Sequence, residues 1–360
     1  MTIRSRFTPL ILLALGLGLS FAWASPGFAT KFRPLLADPK SRDTDPAPSP
    51  DGKWLAFQSN RGGSSQIWIM STGGGQLRQL TAEPESAKAG AQNMATRVMT
   101  PTWAPDGKSI LYISTRSGQY NIYSIPVEGG EAKALSNAPG SQRFAVYSPD
   151  GSKICFPSSR LAPTSLYGFN LYIMDAKGEI DGPPARRLTF SGSSPGHPVW
   201  SFDGKWLAYV AKDYDTTKTV DVGGGMQTKQ SAMFSQFRVF KKAVAGGPET
   251  KLTGLTKENS EDTWPSWSPN GKQIAFGRNV GGKQSLWIVD ATTKKSFMLT
   301  ADGNCMKPTW SYDGNAIYYT KLDGTDEDIW VASDFTTVEQ VSPKTAPKKS
   351  TTTKTAATKK

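Results

Sequence analysis

The chain has 360 residues with 35 glycines, 25 prolines and 11 tryptophans, and its formal net charge is +12 at pH 7. Six of those charges lie in residues 342–360 and two are Arg4 and Arg6, which leaves only +4 for the residues between, so we do not expect a nucleic-acid ligand. One histidine and two cysteines exclude the usual zinc-binding spacings.

Residues 1–29 have the layout of a secretory signal peptide. A basic start precedes the apolar run 10–24, and small residues suited to cleavage end at Ala24 and again at Ala29, between which the sequence does not choose. An uncleaved membrane anchor is the alternative, but the run is shorter than the ~20 apolar residues of a typical membrane span. We therefore expect a periplasmic or secreted protein that is not integral to the membrane.

A short turn motif recurs six times between residues 30 and 341. The six steps are Asp51-Gly52, Asp106-Gly107, Asp150-Gly151, Asp203-Gly204, Asn270-Gly271 and Asp313-Gly314. Each step follows a segment that ends in an aromatic residue in five of the copies. Each step also precedes an apolar run, an aliphatic–aromatic pair and a short final segment. Four segments repeated at this spacing are typical of the blades of a β-propeller.

The apolar runs, such as "WLAFQ" and "ILYIS", do not alternate with polar residues, which favours strands covered on both faces. We therefore predict an all-β fold, a six-bladed β-propeller of four-stranded antiparallel blades, over residues 30–341. An open β-solenoid or a two-sheet sandwich is the alternative. Residues 31–37 and residues 338–342 compete to supply the outer strand that closes the ring, and the sequence leaves both open.

The repeat pattern "PxWSPDGKxIAF…IWIM…RQLT" resembles the TolB-type, WD-like repeat of secreted bacterial propellers. The resemblance covers nearly all of residues 31–341 and implies the propeller fold. Repeats of this type also occur in peptidase propellers and pectate-degrading lyases, so the resemblance alone does not imply one function. TolB itself has an α/β domain before its propeller, and we expect that domain to be missing here.

The acidic residue of the turn motif is expected to shape the chain and not to react. "S-P-D-G" fits a type I turn in which Gly takes the left-handed position. Asn270 replaces the acid in the fifth copy, and Asn keeps the turn-forming acceptor but loses the charge. A catalytic acid would not tolerate that replacement.

Other sites suggested by motifs are weaker. "GSSPG" at 192–196, followed by His197, matches the pattern of a hydrolase nucleophile elbow, but that elbow needs a helix after the turn, and a strand is predicted here. The acidic stretch 323–328 could bind Ca²⁺ through Asp323, Asp326 and Asp328, although it lacks the spacing of an EF-hand and a solvated turn is the simpler interpretation. We expect no other cofactor.

The two cysteines are predicted to be free thiols. Cys155 falls in the second strand of blade three and Cys305 in the loop leading into blade six. These blades lie on opposite sides of a six-fold ring, which is farther than the ~7 Å between Cα atoms that a disulfide tolerates.

Residues 342–360 contain no acidic and no large apolar residue, so we predict a disordered Lys/Thr-rich tail. Its lysines could attract anionic lipids or polymers of the envelope. A linker or solubilising role is the alternative. The lysines concerned are Lys348, Lys349, Lys354, Lys359 and Lys360.

Three of the four long insertions, 82–100, 158–170 and 211–237, fall on the side of the propeller opposite the Asp-Gly turns; the fourth is 175–187. Met and aromatic side chains in such loops can form an adaptable binding surface, and packing as a lid over the channel is the alternative. The candidate partner-binding residues are Met94, Arg97, Met99, Tyr167, Phe169, Tyr214, Met226, Met233, Phe234 and Phe237.

No catalytic constellation emerges from these motifs. We therefore predict a non-enzymatic interaction module of the periplasm or cell envelope that binds a protein or peptide on the loop-bearing face. The alternatives are a carbohydrate-active or peptidase-related propeller, and a binder of anionic envelope polymers through the basic tail.

Overall fold

The computed structural model of the protein describes residues 30–82, 96–163, 168–190, 192–213, 219–221, 227–229, 236–254 and 260–334. These residues form six four-stranded antiparallel sheets, which confirms the predicted six-bladed propeller. The described residues contain no helix, and therefore none long and apolar enough to cross a membrane. The predicted signal peptide and the basic tail lie outside the described residues.

The strands are numbered in chain order. The chain begins with β1 (Lys31–Leu36). Blade one contains β2 (Asp43–Pro48), β3 (Trp54–Ser59), β4 (Gln66–Ser71) and β5 (Arg78–Gln79). Blade two contains β6 (Val98–Trp103), β7 (Ser109–Ser114), β8 (Asn121–Pro126) and β9 (Lys133–Ala134). Blade three contains β10 (Val146–Tyr147), β11 (Lys153–Ser158), β12 (Asn170–Asp175) and β13 (Arg186–Arg187).

Blade four contains β14 (Gly196–Trp200), β15 (Trp206–Asp213), β18 (Gln236–Ala243) and β19 (Thr250–Lys251), with a separate hairpin of β16 (Thr219–Asp221) and β17 (Gln227–Lys229) inserted between β15 and β18. Blade five contains β20 (Ser260–Trp267), β21 (Gln273–Val280), β22 (Lys283–Asp290) and β23 (Ser296–Met298). Blade six contains β24 (Cys305–Trp310), β25 (Ala316–Asp323) and β26 (Asp326–Ser333).

The N-terminal strand closes the ring. β1 pairs antiparallel with β26 in the register Lys31↔Ser333 and Pro34↔Trp330, so it is the outer strand of blade six. Of the two segments that the sequence left open, residues 31–37 take this place, and residues 338–342 lie outside the described part. The pairing covers an edge of blade six that would otherwise be open to other strands.

The core lies between neighbouring blades. Each second strand carries an aromatic residue that is almost completely buried, and the six are Phe57, Tyr112, Phe156, Tyr209, Phe276 and Tyr319. Phe57, for example, packs with Tyr318 and Ile329 of blade six. Burial of one such side chain contributes about 1.5–3 kcal/mol. Because each blade is covered on both faces by its neighbours, its strands read as continuous apolar runs.

The repeated turn forms as predicted. In blade one the Gly52 amide donates to the Ser49 carbonyl at 2.9 Å, and Gly52 has a φ of 72°. The Ser49 hydroxyl donates to Asp51 Oδ1 at 2.6 Å, and the Lys53 amide donates to the same oxygen at 3.1 Å. These hydrogen bonds, with that from Ser49 the largest cause, hold the pKa of Asp51 below its ordinary value.

Asn270 makes the same contacts without a charge. Its Oδ1 accepts from the Ser268 hydroxyl at 2.7 Å and from the Lys272 amide at 3.0 Å. The turn therefore needs an acceptor oxygen at this position and not an acid, which confirms the structural interpretation of the motif.

The antiparallel order of the blades defines two sides of the propeller. The Asp-Gly turns lie on what we call the turn side, and the blade-to-blade and second-to-third-strand connections lie on the loop side. The three long insertions assigned to the loop side connect β5 to β6, β11 to β12 and β15 to β18, as predicted.

Both cysteines are buried and free. Cys155 lies in β11 as predicted, but Cys305 is the first residue of β24 and not part of a loop, because the inner strand of blade six begins earlier than the sequence pattern indicates. Burial raises the pKa of the Cys305 thiol to about 12.

Candidate functional site

The six first strands surround a central channel with a mouth on each side. The turn-side mouth has a volume of about 440 Å³. It is lined mostly by the aromatic residues that end the first strands and by prolines of the turns. In blades four and six Phe202 and Tyr312 replace the proline, and their rings lie 5.5 Å apart in an edge-to-face arrangement. The loop-side mouth is smaller, about 170 Å³.

One residue from each blade forms a ring at the loop-side mouth. These six residues share a left-handed backbone, with φ between 46° and 55°, and none of them is glycine. They are Asp45, Thr100, Phe144, His197, Trp264 and Lys307. Left-handed φ costs an ordinary L-residue about 1–2 kcal/mol, so six strained positions at one mouth are a marked departure from a relaxed backbone.

A shift of strand register accompanies the strained residue. In β2 the pairing with β3 shifts between Thr44 and Ala47, and in β24 the pairing with β25 shifts between Met306 and Thr309. Comparable shifts occur in β6, β14 and β20. Such bulges re-aim a side chain, and here they bring five of the six side chains to the lining of the channel.

The mouth combines an aromatic arc with an ion pair. The ring of His197 lies 4.0 Å from that of Phe144 and 5.4 Å from that of Trp264, measured between centroids. Lys307 Nζ lies 3.1 Å from Asp45 Oδ2 and 5.5 Å from the Trp264 ring centroid. The arc and the pair together offer a small half-buried surface for an apolar side chain beside a charged group.

Two polar atoms at this mouth are buried without a hydrogen-bond partner among the described residues: His197 Nδ1 and Thr100 Oγ1. Burial, and secondarily the positive charge of Lys307, lowers the pKa of His197 to about 3. The imidazole is therefore neutral at physiological pH. Because an unpaired buried polar atom costs about 1–3 kcal/mol, a ligand that pairs with these atoms recovers that cost on binding.

The structure brings two predicted site residues, Arg97 and Phe169, close to this mouth. Arg97 Nη1 donates to the Tyr120 hydroxyl at 3.2 Å. The Arg143 guanidinium lies 4.5 Å from the Tyr120 ring centroid and 5.3 Å from that of Phe169. Arg143 directly precedes Phe144 of the mouth, so this cluster adjoins it.

The other candidate residues are not brought together. Met99 and Phe237 lie in strands β6 and β18 and not in the loops where the sequence placed them, because these strands extend into the predicted insertions. The remaining candidates lie outside the described residues: Met94, Tyr167, Tyr214, Met226, Met233 and Phe234.

Ser194 lies two residues before the start of strand β14, and no helix follows it in the described chain. Asp323, Asp326 and Asp328 lie at the β25–β26 hairpin, where burial and then nearby carboxylates raise the pKa of Asp328. No group of three or more metal-ligating residues occurs among the described residues. Calcium binding at this hairpin stays a prediction.

Sequence reasoning missed the mouth ring, although a signal for it is present. In five blades the strained residue directly precedes a proline. In four of these blades an aromatic residue lies two positions after that proline, as in "TPTW", "HPVW", "WPSW" and "KPTW". The repeats align on the Asp-Gly step, and that alignment gives no weight to the variable residue before the proline.

Comparison with known proteins finds similarity to propellers of the TolB type. A family model described as the TolB beta propeller domain matches residues 85–243. The uncharacterized peptidase YuxL of Bacillus subtilis is 30% identical over 190 residues, which cover 49% of this chain and 23% of that protein. A TolB homologue of Protochlamydia amoebophila is 25% identical over 247 residues, or 66% of this chain and 45% of that protein.

A Tol-Pal system protein TolB of Francisella tularensis is 26% identical over 239 residues, covering 59% of this chain and 54% of that protein. The chain thus spans about half, or less, of the length of these relatives. Among solved structures, the putative TolB from Agrobacterium tumefaciens has a TM-score of 0.56 at 18% identity and covers 87% of this chain and 100% of that one. At this identity the likeness shows the fold alone.

The prediction that the protein is not an enzyme is overturned by these relatives. YuxL is named a peptidase, and an oligogalacturonate lyase has the same fold, with a TM-score of 0.53 at 14% identity over 86% of this chain and 96% of that one. The prediction rested on the lack of a catalytic constellation in the repeats. That lack does not separate this propeller from propellers that occur in enzymes.

Proposed function

Because this chain is a TolB-like β-propeller, we propose that it binds an extended segment of a protein partner at its loop-side mouth, in the periplasm or cell envelope. The signal-peptide pattern at residues 1–29 supports export, and the resemblance to a Tol-Pal system protein supports a protein partner.

The observation that carries the proposal is the ring of six different side chains held in left-handed backbone. Strained, non-glycine positions persist where the surrounding structure enforces them, and they cluster at functional sites. A fold requirement alone would be met at lower cost by glycine, which takes this conformation freely.

The size of the mouth fits the side chains of an extended segment. A volume of about 170 Å³ is below the ~300–1,000 Å³ of typical small-molecule pockets. It accommodates one or two side chains of an extended chain, with an apolar side chain against His197 and Trp264 and polar groups against His197 Nδ1 and Thr100 Oγ1.

An aromatic photo-crosslinking amino acid, placed at residue 264 so that an aromatic ring stays at the mouth, tests the proposal in cells that express the protein. We expect a discrete adduct with one envelope protein, and we expect it to weaken when Lys307→Ala is added. The matched control carries the same crosslinker at Tyr312, in the turn-side mouth. Equal adducts from both positions would refute binding at the loop-side mouth.

A second candidate, a role in peptide hydrolysis, is favoured by the match to YuxL. The matched region covers 23% of that protein, so the propeller would serve as the part that admits or positions a peptide. Purified protein is tested with a set of fluorogenic peptides, alone and with envelope extract. Hydrolysis that disappears with Trp264→Ala, but not with a surface variant such as Arg186→Gln, would support it. Hydrolysis that is unchanged in Trp264→Ala would refute a role of the loop-side mouth in peptide hydrolysis.

A further inference from the structure

Two arginines contact one tyrosine ring on the loop side, between blades two and three. Arg97 donates to the Tyr120 hydroxyl at 3.2 Å, and the Arg143 guanidinium lies 4.5 Å from the centre of the same ring. Phe169 supplies a second ring, 5.3 Å from Arg143. The aromatic faces fix the orientation of the Arg143 guanidinium and bring two positive charges to one place.

The Arg143 side chain differs from three other arginines of the propeller that stack on aromatic rings. Arg61, Arg160 and Arg278 each stack on aromatic rings and also make an ion pair, with Asp43, Glu179 and Asp262 respectively.

Neither Arg97 nor Arg143 has an ion-pair partner among the described residues, and Arg143 Nε is buried with no hydrogen-bond partner there. A guanidinium held by two rings, beside a second positive charge, can bind a carboxylate as its ion-pair partner. Hydrogen bonds between guanidinium and carboxylate are charge-assisted and often bidentate.

The position of the pair links it to the loop-side mouth. Arg143 is followed by Phe144, whose ring lies 4.0 Å from that of His197. In an extended peptide, side chains two positions apart lie on the same face, about 7 Å from each other. One short segment can therefore place an apolar side chain in the aromatic arc and a carboxylate at the arginines.

We infer that Arg97 and Arg143 bind a carboxylate of the partner segment, so that the ligand is an acidic peptide with an apolar residue close to its acid. This inference rests on the proposed function and adds the chemistry of the ligand. It concerns the side chain of Asp or Glu within an extended segment.

The test begins with a randomised dodecapeptide library selected against the full chain. The best binders are synthesised with capped ends, each also as a variant with Glu replaced by Gln or Asp by Asn. Affinities are measured for wild type, for the double variant Arg97→Gln/Arg143→Gln, and for Trp264→Ala. The single variant Arg186→Gln, which removes an exposed charge from β13, is the matched control, and thermal melting confirms that each variant is folded.

We expect loss of the peptide acid to weaken binding to wild type about tenfold or more, and to change binding to the double arginine variant little. Binding to wild type should weaken with salt, and that dependence should be smaller in the double variant. Arg186→Gln should bind like wild type. A merely structural role for the arginines would instead weaken the acidic and amidated peptides by the same factor, which would overturn the inference.

Other outcomes separate the inference from the proposed function. Peptides that require Trp264 but show no preference for an acid would overturn the inference and leave mouth binding intact. Acid-dependent peptides that ignore Trp264→Ala would support the arginine site and refute the mouth. Failure to select any peptide would overturn both. If trigalacturonate binds through the arginines and no peptide does, the ligand is a uronate saccharide and not a peptide.

Discussion

The two mouths of the channel are built by the same six strands, yet their residues differ in kind. At the turn side the repeats carry the same residue types: an aromatic residue closing the first strand, then usually proline and an acceptor residue before glycine. At the loop side the six equivalent positions carry Asp, Thr, Phe, His, Trp and Lys, all with left-handed φ.

This difference separates what the fold requires from what it permits. Each turn needs its acceptor oxygen and glycine, and in the five blades that also have a serine its hydroxyl donates to that oxygen, as in blades one, five and six. The loop-side bulge needs only its backbone shape, so the side chain is free to vary. Chemistry specific to this protein is therefore expected at the loop side and stability at the turn side.

The largest expected effect distinguishes two nearby tryptophans of blade five. Trp267, at the turn-side end of β20, is 3% exposed, and Trp264 is only half-buried at the loop-side mouth. We expect Trp267→Ala to lower the free energy of unfolding by about 3–5 kcal/mol, because it leaves a cavity between blades. Trp264→Ala should cost far less stability and abolish ligand binding.

Urea unfolding monitored by circular dichroism measures both variants, and peptide titration measures binding. The contrast between the two mouths would be refuted if Trp264→Ala destabilised the propeller as strongly as Trp267→Ala. That result would mean that the aromatic contacts of Trp264 stabilise the fold, as those at the turn side do.

The second prediction concerns His197 and acid. Its folded pKa, about 3, lies below the ~6.5 of an unfolded histidine, so the unfolded chain binds a proton that the folded chain excludes. Stability should therefore fall as pH decreases from about 6.5 toward 3, by up to ~1.4 kcal/mol per pH unit from this group. His197→Asn, which tolerates left-handed φ and does not titrate, should flatten the profile between pH 6 and 4.

Unfolding measured in urea across that pH range, for wild type and His197→Asn, checks this prediction. The turn-side mouth contains no histidine, since His197 is the single one in the chain. Equal slopes in the two proteins would show that the imidazole is protonated in the folded state and that the loop-side mouth is more hydrated than its geometry indicates.

The third prediction tests the strain itself. Thr100 is β-branched and has a φ of 53°, a conformation that such residues rarely adopt. Thr100→Gly should relieve this strain and stabilise the protein by about 1 kcal/mol, after the entropy cost of glycine is deducted. Thr102→Gly, two residues later in β6, should destabilise it, because Thr102 donates to the Ala145 carbonyl at 2.7 Å. A higher melting temperature for Thr100→Gly and a lower one for Thr102→Gly would support the idea that the strain at Thr100 is retained for ligand binding.

The contrast between the mouths also explains what the sequence could predict. The six blades followed from a turn that repeats, and Asn270 was the residue that favoured a turn-forming role for the acid. Arg97 and Phe169 were found because they lie in or beside long insertions. Tyr120 and Arg143 were missed, because each lies in a connection of ordinary length and they meet only when blades two and three pack. Periodicity reveals positions that repeat, and the mouth ring is made of residues that do not.

The smallest expected effect comes from the turn-side acid. Asp203 accepts from the Ser201 hydroxyl at 2.6 Å and from the Lys205 amide at 3.0 Å, and these hydrogen bonds, the former first, lower its pKa. Asp203→Asn keeps the acceptor, as Asn270 does, and should change stability at pH 7 by less than about 0.5 kcal/mol. Asp203→Ala loses both hydrogen bonds and should cost about 1 kcal/mol.

The pH dependence distinguishes the charge from the acceptor. Because the pKa of Asp203 is lower in the folded chain than in the unfolded chain, its carboxylate stabilises the protein above the unfolded pKa of about 3.9. That stabilisation is lost as the pH falls through the folded pKa. The small advantage of wild type over Asp203→Asn should therefore vanish in acid, whereas the deficit of Asp203→Ala should partly persist, since a protonated carboxyl still accepts from Ser201. Neither variant should alter ligand binding at the loop-side mouth. A loss of binding in Asp203→Asn would show that binding at the loop-side mouth depends on the turn side, which would contradict the separation of the two mouths.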